Sequence, residues 1–185
     1  MSSPERSALV LVGPMGSGKT SVGKRVARAL GWSFTDTDAM VVRENGPLPE
    51  LFATRGEAHF RALERDAVSR ALQEGGVVSL GGGAVLDPHT RSALAAHRVV
   101  LLTVAPHVVV SRIGGTGRPL LNAEDPLARW ERILEERRPL YEEVADATFD
   151  TSSGPLSRVV QAIAAWAQAP LPPSSPAQAG IQETL

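Results

Sequence analysis

Residues 13–20 read GPMGSGKT: Gly13 and Gly18 with four residues between them, then lysine and threonine. That spacing is built for holding phosphate. The glycines let successive backbone N–H groups turn inward around phosphate oxygens, and a helix beginning at the lysine adds the positive end of its dipole. The lysine reaches β- and γ-phosphates, and the threonine hydroxyl faces Mg²⁺. The motif requires a strand before it and a helix after it. ALVLV at 8–12 reads as the strand, and Val22, Val26, Ala27 and Leu30 fall at helical spacing after it. The implied ligand is ATP or GTP, contacted by Gly16, Ser17, Gly18, Lys19, Thr20 and Ser21.

A phosphate loop of this kind usually works with an acid at the end of a buried strand, for Mg²⁺. VVSL at 77–80 ends in Gly81, Gly82 and Gly83, and VVLLTV at 99–104 ends in Ala105 and Pro106, so neither strand supplies one. FTDTD at 34–38 does, with Asp36 and Asp38. Residues i and i+2 share one face of a strand. If the strand continues through Asp38, both carboxylates face one cleft. One would hold the hydrated metal, and the other would align or deprotonate an acceptor hydroxyl. The competing reading makes them solvated turn residues, or makes Asp38 the cap of the helix AMVVRE.

Three arginine positions stand near these motifs. Arg61 lies in EAHFRALERD, beside Phe60, with Arg65 and Arg70 reading as a solvated face. Arg118 lies in the glycine-rich GGTGRPLL, where an arginine beside a phosphate loop suggests a lid. Arg137 and Arg138 precede PLY, where a helix end and its own dipole give the bland alternative.

The elements that must position these groups alternate. Strands are expected at 8–12, in SFTDTD, VVSL, RVVLLTV and ATFDT. Helices are expected from Lys19, over 39–55 with an interruption at GPLP, and from Glu57 to Gln73. Further helices open at Asp87-Pro88, at Pro106, at Asp125-Pro126 and in PLSRVVQAIAAWAQA. Five alternations imply an α/β fold: a parallel sheet with helices on both faces and ligands at the carboxyl ends of the strands. One domain is expected over 1–169, with a lid at about 112–124 and a disordered tail at 170–185. The 185 residues suffice for one core, and the 43% hydrophobic content is ordinary for a soluble chain. A net charge of −1 creates no field to recruit nucleic acid or anionic lipid. The absence of cysteine excludes disulfides and thiolate chemistry. No leader is visible and no apolar run approaches a membrane span, so a cytoplasmic protein is expected.

Taken together, GPMGSGKTSVGKRVARAL, FTDTD, GEAHFRALE, SLGGGAV, RPLL and RRPLY resemble the shikimate kinase family, in order and approximate spacing, over about residues 8–165. The resemblance implies a nucleoside-monophosphate-kinase-like, three-layer fold with a five-stranded parallel sheet. It implies transfer of the ATP γ-phosphoryl to the 3-hydroxyl of shikimate, with Mg²⁺, on the route to aromatic amino acids. On that resemblance Lys19, Asp38 and Arg118 serve catalysis, with Asp38 at the attacking hydroxyl and Arg118 on the ATP phosphates. Thr20 and Asp36 serve the metal, Asp36 directly or through water. Arg61 and Arg137 hold the shikimate carboxylate, Gly81, Gly82 and Gly83 meet its ring, and Arg112 lies near adenine. Arg138 occupies a variable position and receives no role. The family expectation is a monomer whose partners are ATP and shikimate, not nucleic acid or membrane. Two departures stand out: RIGGTGRPLL is about a residue shorter than many family lids, and DTSSGPLS lacks an arginine that some members carry. Alternatives are a gluconate or nucleotide acceptor, or a kinase-like sensor that binds a small acid without turnover.

Overall fold

The computed structural model describes residues 8–113 and 125–170. Its sheet contains β1 (Leu9–Val12), β2 (Phe34–Asp36), β3 (Val77–Ser79), β4 (Arg98–Thr103) and β5 (Ala147–Asp150). The order is β2-β3-β1-β4-β5, and every neighbouring pair is parallel. Every residue of β1 is buried, as a central strand covered on both faces requires.

Strand alternation divides the core. Val10 and Val12 of β1 and Val99 and Leu101 of β4 face one cluster, while Leu9, Leu11, Val100 and Leu102 face the other. The first cluster is closed by α2 (Thr37–Asn45), α3 (Leu48–Glu74), α4 (Pro88–Leu94) and Tyr141 of α6 (Pro126–Val144). The second is closed by α1 (Lys19–Leu30) and α7 (Leu156–Gln168). The remaining helix, α5 (Pro106–Ile113), joins α6 through a third, smaller cluster around Val109 and Trp130.

The five expected strands and the alternating helices are all present. Gly56, at φ 80° and ψ 170°, breaks α3 between the two helical stretches read from the sequence. Asp87 caps α4 by accepting from the His89 and Thr90 amides, and Asp125 caps α6 through the Ala128 amide. One boundary differs from expectation. The strand β2 ends at Asp36, and α2 begins at Thr37. Arg118, the rest of the lid beyond Ile113 and residues 171–185 of the tail lie outside the described residues.

A single arginine ties α7 to the sheet. Arg98 donates to the carbonyls of Trp166, Ala167 and Ala169 at 2.9, 2.8 and 2.6 Å, and its guanidinium lies 5.5 Å from the Trp166 ring centroid. The last carbonyls of a helix lack the usual partners within it, so this clamp supplies donors there, although the Trp166 carbonyl also accepts the Ala169 amide at 3.2 Å. Arg98→Ala is expected to lower the unfolding free energy by about 1.5–3 kcal/mol in a denaturant titration. Arg98→Lys should recover only part, because a lysine cannot reproduce the fork.

Candidate active site

A parallel sheet sends all its strand ends to one edge, and there the chemistry collects. The loop after β1 turns through Gly13, Gly16 and Gly18, at φ 142°, 81° and 86°, values that side chains strongly disfavour. Gly18 is the N-cap of α1 and supplies no side-chain cap, so the first amides of the helix stay open to an anion. Lys19 Nζ lies back over the loop, donating to the Gly13 and Pro14 carbonyls at 2.7 and 3.0 Å. Thr20 Oγ1 donates to Asp36 Oδ2 at 2.7 Å.

Asp36 and Asp38 do reach one cleft, but not by the strand geometry expected of them. Asp36 ends β2 and caps α2, its Oδ1 accepting from the Ala39 amide at 3.1 Å. Asp38 stands in the first turn of α2. The strand stops early because the Asp36 side chain offers the Ala39 amide a partner, which favours starting the helix at that point. The helix turn, not strand alternation, carries Asp38 into the cleft.

Beside them lies a knot of charge. Arg61 packs over the Phe60 ring at 5.1 Å, donates to Glu64 Oε2 at 2.5 Å and donates to Glu57 Oε1 at 3.2 Å. Glu64 is only 3% exposed and Arg137 only 6%. Burial pushes the Glu64 carboxyl above its ordinary value, and Asp38 adds to the rise, while Arg61 and Arg137 pull it back. Burial works against the Arg61 charge, but Glu64 and Glu57 more than compensate and hold its pKa above the usual value. Tyr141, pushed up to about 12 mainly by burial, donates to the Gly82 carbonyl at 2.5 Å.

Two of the three glycines after β3, Gly81 and Gly83, are explained by this knot. None of the three sits in the left-handed region. A Cβ on Gly81 would run into the Asp38 and Glu64 carboxylates, and one on Gly83 would run into the Arg61 guanidinium. On Gly82 a Cβ would make only ordinary contacts, the nearest 3.6 Å away at the Gly13 carbonyl. The Gly81 amide is already used, donating to Thr37 Oγ1 at 3.2 Å, so Gly81 supports the site from behind.

Phosphate loop and charged knot line one cleft of about 560 Å³. Of the residues singled out in the sequence, Gly16, Gly18, Lys19, Thr20, Ser21, Asp36, Asp38, Arg61, Gly82, Gly83, Arg112 and Arg137 line it. Ser17 is fully buried beneath the loop. Arg65 and Arg70 stay outside the cleft, pairing with Asp87 and with Glu44 and Asp66. Glu64, Tyr141 and Thr37 belong to the site and received no role from the sequence. Glu64 alone left a signal: it follows Arg61 by three residues and so shares its helix face.

The family model described as shikimate kinase matches residues 15–168. The chain belongs to the shikimate kinase family. The shikimate kinase of Salinispora arenicola is 53% identical over 145 residues, covering 77% of this chain and 86% of that one. The shikimate kinase of Mycobacterium avium is 48% identical over 146 residues, covering 77% and 83%. Among solved structures, shikimate kinase from Acinetobacter baumannii in complex with shikimate has a TM-score of 0.81 at 35% identity, covering 85% of this chain and 90% of that one. A gluconokinase from Sinorhizobium meliloti, at TM-score 0.57 and 23% identity, covers 89% and 93% and shares the fold alone. Membership makes the chain a kinase, with the α/β architecture of this shikimate kinase family.

The glycines give a graded test. Gly81→Ala and Gly83→Ala should displace Asp38, Glu64 or Arg61 and lower kinase turnover roughly tenfold to a hundredfold. Gly82→Ala should stay within about threefold, because its methyl finds room. Steady-state kinetics on the three variants, with circular dichroism to check folding, read the order directly.

Proposed function

We propose that this chain transfers the γ-phosphoryl group of ATP to the 3-hydroxyl of shikimate. The observation that carries the reading is the joining of two ends in one cleft. Lys19 and the Thr20–Asp36 pair stand at the phosphate end, and the half-buried Arg61 and the buried Arg137 stand at the other. An arginine fork binds a carboxylate through charged hydrogen bonds worth about 1.5–3 kcal/mol each. Arg61 and Arg137 hold the shikimate carboxylate, and the Gly82 and Gly83 backbone borders its ring.

In this reading Asp38 receives the proton of the 3-hydroxyl as that oxygen bonds to the γ-phosphorus. The bond from phosphorus to the oxygen shared with ADP breaks, leaving ADP and shikimate 3-phosphate. The chain supplies positioning and charge rather than a covalent intermediate. The open amides at the start of α1 and the Lys19 ammonium balance the charge on the phosphates. Arg112 and Arg118 act from the nucleotide side, Arg118 from outside the described residues.

Mg²⁺ fits the donor set at Thr20 and Asp36, a hydroxyl and a carboxylate 2.7 Å apart. These are hard oxygen donors, and Mg²⁺ commonly takes one or two protein ligands with water and phosphate oxygens. Among the described residues no three acidic or histidine side chains gather to hold an ion alone. When bound, Mg²⁺ neutralises phosphate charge as the phosphoryl group moves. Among the described residues no helix is long and apolar enough to cross a membrane.

A coupled ADP-release assay with shikimate, gluconate and AMP as acceptors tests the reading. Turnover is expected with shikimate and Mg²⁺ alone among these; ATP binding without shikimate-dependent turnover would sink it. Asp38→Asn should lower kcat at least about a hundredfold with ATP binding nearly intact. Arg61→Ala and Arg137→Ala should each raise the shikimate KM about tenfold or more and leave the ATP KM within about twofold.

A further inference from the structure

An anion-binding loop has a requirement that its glycines do not meet by themselves. For its amides to face inward, its carbonyls must face outward, and a buried carbonyl needs a donor. Each carbonyl from Gly13 to Gly18 has one. Lys19 Nζ serves Gly13 and Pro14, the Ser17 amide also donates to Pro14 at 3.3 Å, and the Val22 amide serves Gly18 at 2.9 Å. These donors belong to the motif and its own helix.

The middle three carbonyls depend on distant parts of the chain. Trp130 Nε1 of α6 donates to the Met15 carbonyl at 2.8 Å. Arg112 Nη1 of α5 donates to the Gly16 carbonyl at 3.0 Å. Thr151 Oγ1, just past β5, donates to the Ser17 carbonyl at 2.9 Å. The sequence separations are 115, 96 and 134 residues.

We infer that Trp130, Arg112 and Thr151 are positioning residues for phosphate binding, which pin three successive loop carbonyls outward and thereby aim the loop amides at the nucleotide. Trp130 and Thr151 are 1% and 5% exposed, and the Thr151–Ser17 bond is buried, so water has little access to replace that donor. The Thr103 carbonyl, 3.0 Å from the Thr151 hydroxyl, already accepts the Thr151 amide at 2.9 Å. The Ser17 carbonyl is therefore the one that depends on the hydroxyl proton. Arg112 braces the same residue, donating from Nη2 to the Thr151 carbonyl at 3.1 Å and from Nη1 to its hydroxyl at 3.4 Å. A guanidinium engaged in this way acts on the phosphates through the loop backbone. Its sequence-level placement near adenine is a different role.

This rests on reading the loop as the ATP phosphate site. The test uses tripolyphosphate, which carries the phosphates without adenine or ribose. In calorimetric titrations of the full chain, Thr151→Val should weaken tripolyphosphate and ATP by the same factor, about tenfold. Thr151→Ser, which keeps the hydroxyl, should restore both to within about twofold. Trp130→Phe removes the neighbouring donor while keeping an aromatic ring, and should weaken both ligands likewise. The shikimate KM should stay within about twofold throughout. Unchanged tripolyphosphate affinity in the folded variants overturns the inference, as does a shikimate KM that rises in parallel. If the unsubstituted chain fails to bind tripolyphosphate, the phosphate-site reading itself fails.

Discussion

The Arg61–Glu64 pair is the constraint on which the acceptor end of the cleft depends. The two side chains meet at 2.5 Å with 20% and 4% of their surfaces exposed. Removing charges from water is costly, and their mutual attraction repays this only when the surroundings fit closely. The surroundings here are fitted by subtraction. Gly81 and Gly83 leave the space that the carboxylates and the guanidinium occupy. Thr37 and Tyr141 then fix the emptied backbone by bonding to Gly81 and Gly82. In a row of three glycines that resembles a second phosphate loop, the outer two are room made for charge.

The phosphate end is built by the opposite method. Its motif spans eight consecutive residues whose glycines take positive φ, Gly13 also leaving room for the Leu102 carbonyl, while Trp130, Arg112 and Thr151 hold its middle carbonyls from far along the chain. The two ends meet because β1 lies beside β3 in a parallel sheet, so the loops that follow them emerge together. Asp36 and Asp38, at the end of β2 and the start of α2, complete the same edge. The sheet thus converts an order along the chain into a row of functional groups across one face.

The legible parts of the sequence were those whose cause is local. Buried strands declared themselves as apolar runs, and Asp87 and Asp125 marked helix starts through their own hydrogen bonds. The end of β2 was misjudged because one aspartate can finish a strand or open a helix, and the Ala39 amide decides which. Glu64 is not legible because a glutamate on a charged helix ordinarily faces water, whereas this one is buried against Gly81 and within reach of the Arg137 charge. Trp130 and Thr151 gave no signal, since a tryptophan reads as core until the carbonyl it serves is known.

If Arg61 and Arg137 recognise a carboxylate, the charge of that group should govern binding. The direct measurement is calorimetric titration of the chain with shikimate and with its 1-carboxamide, which keeps the ring and hydroxyls but removes the charge. The amide is expected to bind at least about a hundredfold more weakly, the effect of weakening two charged hydrogen bonds. Equal affinities would contradict the central role given to Arg61 and Arg137.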